Sequence, residues 1–176
     1  MELRQTGRQR LTVAVTGHRD LVTSEIGPLR EKVRWILGHL VEEYPDLQLE
    51  ILSGLAEGAD QLVADEALAL GLPLIAVLPF ELDEYRRDFS DTSGLDRLLA
   101  SCEQISLPRM DEGTPLDAEA RSRQYAQLGV FLSNHCQVLL ALWDGKDSEK
   151  LGGTSSVITY HLTGVMPGFE VEDATP

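Results

Sequence analysis

Three short runs of small and polar residues carry most of the chemistry this sequence offers: Thr16-Gly17-His18-Arg19, Ser53-Gly54-Leu55-Ala56-Glu57-Gly58-Ala59-Asp60 and Gly152-Gly153-Thr154-Ser155-Ser156. Glycine lets the backbone come close to a ligand and take positive φ. Thr16, Ser53, Thr154 and Ser155 add hydroxyl donors. Free N–H groups at a helix start favour an anion, most often a phosphate. Arg19 suits bidentate pairing with such a phosphate. Glu57 and Asp60 are carboxylates at a helix start. The macrodipole favours them there, and as carboxylates they are the two candidate catalytic groups. His18 follows the first run's glycine, and Tyr85 and Phe89 are rings that could stack on a base or ribose. Each of these residue types also has a plain use as cap, turn, salt bridge or core.

These turns need elements to hold them, and the apolar patterning supplies them. Residues 11–16 (LTVAVT) read as a buried strand running into the first turn. Ile26, Leu29, Val33, Ile36, Leu40 and Tyr44 recur at helical spacing until Pro45 stops them. A second strand over 47–52 runs into the second turn. Ala59, Leu62, Val63, Ala67 and Leu70 form a helix closed by Gly71. Residues 73–79 (PLIAVLP) read as a third strand. The segment 80–91 is charged, with aromatics. Leu95, Leu98, Leu99 and Cys102 mark a short helix, 104–107 a weak strand, and 109–115 a polar turn. Tyr125, Leu128, Phe131 and Leu132 mark another helix. Residues 136–143 (CQVLLALW) are a strong last strand. A charged loop over 144–150 then leads to a final helix beginning in the Gly152-Gly153 run. Strands alternating with helices imply βαβ units and a parallel sheet. Ligands of such sheets bind outside the carboxyl ends of the strands, where all three runs fall.

The length of 176 residues suits one domain. A formal net charge of −14 repels phosphate backbones and anionic membrane surfaces, so neither nucleic acid nor membrane is an expected partner. No apolar run approaches the ~18 residues of a membrane helix. Cys102 and Cys136 fit neither a disulfide framework nor a redox pair, and a cytoplasmic setting is expected. The four histidines, His18, His39, His135 and His161, have no metal-ligand spacing. The patterns GxxxxGK[ST], GxGxxG, HExxH and GxSxG are all missing. No metal and no obligatory cofactor are expected.

The ordered set of three turns resembles the SLOG superfamily. This Rossmann-like group includes the Lonely Guy (lysine-decarboxylase-like) phosphoribohydrolases, the DNA-processing protein A domain, and nucleotide-sensor domains of bacterial defence systems and TRPM channels. The middle run is similar to that family's SGxAxGxD turn, and the likeness extends over about residues 11–162. The Lonely Guy enzymes carry PGGxGTxxE with a catalytic Glu. Leu151 precedes the glycine pair where the motif has Pro; setting Gly153-Thr154 on the motif's GT instead puts Val157 at the Glu position, and valine can neither give nor take a proton. The DNA-processing branch binds single strands along a basic path, for which a chain of this charge offers no evident counterpart.

The expected architecture is thus a three-layer α/β Rossmann-like domain over 1–164. It has a mainly parallel sheet of about five strands with helices on both faces, and 165–176 as an acidic tail or linker. The resemblance implies binding or sensing of a nucleotide-derived ligand, such as an ADP-ribose or NAD derivative. The expected contacts are Thr16, Gly17, His18, Arg19, Ser53, Gly54, Glu57, Gly58, Asp60, Tyr85, Gly152, Gly153, Thr154 and Ser155. The alternative is a nucleotide N-glycosidase of Lonely Guy type, using Glu57 or Asp60. The resemblance also implies a homo-oligomer, commonly a dimer; the tail, where it is a linker, would make this an effector domain in a longer chain.

Overall fold

A computed structural model describes residues 9–110, 113, 115–148 and 150–171. The expected turn over 109–115, the charged loop over 144–150 and the acidic tail lie partly outside the described residues.

Five strands, β1 (Arg10–Gly17), β2 (Gln48–Ser53), β3 (Leu74–Leu78), β4 (Glu103–Ser106) and β5 (Val138–Leu142), form one all-parallel sheet in the order β4-β3-β2-β1-β5. The connecting helices are α1 (Ile26–Glu43), α2 (Ala59–Ala69), α3 (Leu82–Tyr85), α4 (Ser93–Leu99) and α5 (Ala118–Asn134), and α6 (Thr154–Thr163) follows β5. The chain moves outward from β1 to β4, then returns to lay β5 on the other side of β1. Right-handed crossovers therefore put α5 on the face opposite α1 and α2.

Packing follows the strand period of two. Leu11, Val13 and Val15 of β1 face one core with Val33 and Leu37 of α1 and Leu62 and Val63 of α2. Ala14 faces the other, with Leu128 and Leu132 of α5. Burial on both faces explains why β1 reads as a continuous apolar run. β4 is weak in sequence because all four of its residues are exposed.

A third apolar cluster joins α5 and α6 through Ala126, Val130, Val157 and Tyr160. It also takes in Met166 and Phe169, which bridge to each other and are 2% and 7% exposed. The segment just past α6 thus packs against the domain, where the sequence suggested a tail from residue 165. Among the described residues no helix is long and apolar enough to cross a membrane.

Candidate functional site

The return of the chain from β4 to β5 makes a switch point between β1 and β5, and at their carboxyl ends lies a cleft of about 350 Å³. Its floor is the β1 turn. The His18 N–H donates to Leu142 O at 3.2 Å and the His18 carbonyl accepts from Ala59 N at 3.0 Å, so this turn is docked on both β5 and the start of α2. The approach is close enough to require glycine. A Cβ on Gly17 would lie 2.4 Å from Ala59 Cβ, and one on Gly58 (φ +80°) only 2.0 Å from Arg19 O.

The β2–α2 turn is bonded mostly to itself. Ser53 is fully buried, and its Oγ accepts from Leu55 N at 3.1 Å. The Ala56 N–H donates to Asp60 Oδ2 at 3.3 Å, and the Tyr85 hydroxyl donates to Gly54 O at 2.8 Å. Leu55 takes a positive φ of 56° with its side chain wholly buried. Burial pushes the Asp60 carboxyl up to about 7, against the hydrogen bonds from Ala56, Ser53 and Gly54 and the charge of Arg19. Asp60 lines the cleft; Ser53, Gly54, Glu57 and Gly58 do not. The Glu57 carboxylate turns outward and accepts from Ser90 N (3.1 Å), Ser90 Oγ (2.7 Å) and Asp91 N (3.3 Å).

Arg19 is already engaged. It donates to Asp88 O and to the Tyr125 hydroxyl, both at 2.9 Å, and lies over the Phe89 and Tyr125 rings. Asp88 also pairs with Arg121 at 2.7 Å. The 80–91 segment is thereby strapped onto α5, with Phe80, Tyr85, Phe89 and Tyr125 in edge and tilted contact. Tyr85 borders the cleft but is fully buried, its hydroxyl spent on Gly54.

The third wall is the β5–α6 loop. Gly152 (φ +72°) lies flat on α5, where a Cβ would be 2.6 Å from Ala126 N. Ser155 Oγ accepts from Ser148 N at 3.1 Å and staples the loop; it does not face the cleft. Gly153, the residue before α6, supplies no side-chain cap, so the helix's first N–H groups have no side-chain partner there. Beside them Lys150 lines the cleft without a side-chain partner among the described residues. Thr16, Thr154 and Val157 complete this side.

The structure therefore gathers Thr16, Gly17, His18, Arg19, Asp60, Tyr85, Gly152, Gly153 and Thr154 around one cleft. It assigns Ser53, Gly54, Gly58 and Ser155 to holding the turns. Sequence reasoning missed Lys150, Tyr125 and Asp144. The first belongs to the charged loop over 144–150, and its only signal is its place two residues before Gly152. The last pairs with His18, Nε2 to Oδ1 at 3.1 Å. Among the described residues no group of three or more His, Cys, Asp or Glu side chains could hold a metal ion.

No family model and no curated protein matches the sequence. Among solved structures, the chain is similar to the X-ray structure of DNA processing protein A (DprA) from Streptococcus pneumoniae. The TM-score is 0.58 at 17% identity, over 87% of this chain and 47% of that one. The chain thus spans about half the length of that protein, and the likeness is one of fold. It corrects one expectation. Net charge was taken to exclude nucleic acid, yet this fold occurs in a DNA processing protein. The physical reason is that net charge is a sum over the surface, whereas a strand meets only the local field of one face. What the comparison and the topology together establish is a parallel, Rossmann-like α/β fold of the kind found in DNA processing protein A.

Proposed function

We propose that the cleft binds a nucleotide or nucleotide-derived ligand, ADP-ribose-like or NAD-like, through its phosphate, and that occupancy is read out as a signal. One observation carries this reading. The uncapped start of α6 and Lys150, which has no side-chain partner among the described residues, open together onto a cleft at the switch point of the sheet. The SLOG resemblance of the three turns agrees with it. Binding is favoured over N-glycosidic hydrolysis because Glu57 is tied to Ser90 outside the cleft. Asp60 is back-bonded to its own turn, and Val157, which falls at the Glu position when Gly153-Thr154 is set on the Lonely Guy GT, lines the cleft without a carboxylate. The strap over 80–91 is the natural reporter, since a ligand phosphate reaching Arg19 would compete with Asp88 for it.

A second reading comes from the similar fold of DNA processing protein A: the same anion cradle would accept a phosphate of a nucleic-acid strand. Thermal melts with ADP-ribose, NAD, AMP and a single-stranded oligonucleotide separate the two. A saturable rise with the small nucleotides supports the first reading, because selective binding to the folded state stabilises it. In Lys150→Ala the affinity should fall about tenfold, the worth of one charge-assisted contact. An oligonucleotide that stabilises the protein and displaces ADP-ribose would support the second. No shift with any of them would overturn both.

A further inference from the structure

His18, which lines the cleft, is held against Asp144 just beyond that lining. His18 leaves β1 and Asp144 leaves β5, neighbouring strands at the switch point. His18 Nε2 lies 3.1 Å from Asp144 Oδ1. Asp144 is itself fixed: Oδ1 accepts from Lys146 N at 3.0 Å, and Oδ2 lies 3.5 Å from Lys146 Nζ. The Lys146 backbone N–H, then the His18 ring, hold this carboxyl below the usual range, so it is a carboxylate at neutral pH. The backbone of His18 is bonded on both sides, to Leu142 and Ala59. The Asp144 N–H also points at Nε2, from 3.3 Å, but the carboxylate is nearer and favours the Nε2–H tautomer. That leaves the Nδ1 lone pair without a hydrogen-bond partner among the described residues. His18 lines the same cleft as Lys150 and Thr154.

We propose that His18 and Asp144 form an acid–base pair that hydrolyses a P–O bond of the phosphate-bearing ligand. This rests on the reading of the cleft as a phosphate site. Water gives a proton to His18 Nδ1 as its oxygen attacks phosphorus. The bond from phosphorus to the leaving oxygen breaks, its electron pair going to that oxygen. The imidazolium, opposed by Asp144, then returns the proton to the leaving group. Charge developing on the phosphoryl oxygens falls to the α6 N-terminus and Lys150. His18 is the catalytic residue; Asp144 is a positioning residue that fixes its tautomer and opposes its charge.

The test uses ADP-ribose and AMP with the protein as it stands. Products are separated by chromatography and binding is followed by thermal melts. P–O cleavage turns ADP-ribose into AMP and ribose 5-phosphate, and AMP into adenosine and phosphate. In His18→Gln, kcat should fall on the order of a hundredfold while ADP-ribose affinity changes little. Asp144→Asn should lower kcat about tenfold with KM unchanged, and Asp144→Glu should recover part of it. Saturable binding with both ligands recovered intact would overturn the inference and leave the binding reading standing. Release of free adenine, or a His18→Gln protein as fast as the native one, would also overturn it. No binding of either would remove the reading on which it rests.

Discussion

Asp60 is a carboxyl whose surroundings pull in opposite directions. Burial lifts it to about 7, while the donors of its own turn and the charge of Arg19 draw it down. Unfolding returns it to about 3.9. Between those values the folded protein keeps a proton that the unfolded chain has released, so the stabilisation tied to the protonated carboxyl shrinks as pH rises. This stabilisation is fully present below about pH 4 and is lost as pH rises through about 7. Its size is on the order of a few kcal/mol. Asp60→Asn removes the titration. The stability of the native protein minus that of the variant should therefore fall steadily from pH ~5 to pH ~8 in urea melts. Taking the difference cancels the self-repulsion of a chain at −14. A difference that stays flat would mean that Asp60 titrates as in an unfolded chain. At this scale the sequence revealed residue types better than roles. Ser53 and Ser155 were read as ligand donors, yet both hydroxyls are used within the protein. A hydroxyl's partner depends on which loop folds over it, and no local spacing encodes that.

At the scale of elements the reverse holds. The apolar runs of β1, β2, β3 and β5 and the helical spacing of α1, α2 and α5 were legible, because burial on one or two faces imposes periods of two and 3.6. The strap over 80–91 was not, since its hold depends on Asp88 meeting Arg19 and Arg121 across the chain. Glycines in these elements have opposite consequences. Gly58 combines φ +80° with a backbone carbonyl 2.0 Å from any added Cβ. Gly58→Ala should therefore cost about 3 kcal/mol or more and pry the β1 turn from α2. Gly38 lies inside α1 with nothing within 4 Å of an added Cβ. Gly38→Ala should stabilise by up to about 1 kcal/mol, through higher helix propensity and a less flexible unfolded chain. Chemical denaturation of the two variants checks both signs. A destabilised Gly38→Ala would mean that the α1 surface is covered by something in solution.

For the whole molecule, the sheet order decides where function can sit. Only the return from β4 to β5 opens a crevice between crossovers on opposite faces, and it brings α6 beside β1. The cradle on α6 is then only as rigid as the packing of that helix. Its start is tied through Ser155 to Ser148, while Val157 and Tyr160 pack with Met166 and Phe169. Met166 is 2% exposed, and its Cε comes within 3.5 Å of the Cβ position at Gly129 of α5. Met166→Ala should cost about 2–5 kcal/mol, the usual range for emptying such a site. Leu162→Ala, on the same helix but 77% exposed, should stay within about 0.5 kcal/mol. The sharper expectation couples the two ends of α6. If residues past 164 hold the helix that carries the cradle, a chain ending at Gly164 should lose both stability and affinity for ADP-ribose. A chain ending at Val171 should keep both. Equal affinity in the two truncated chains would mean that the cradle is set by the Gly152–Gly153 loop against α5 alone, with Met166 serving only the fold.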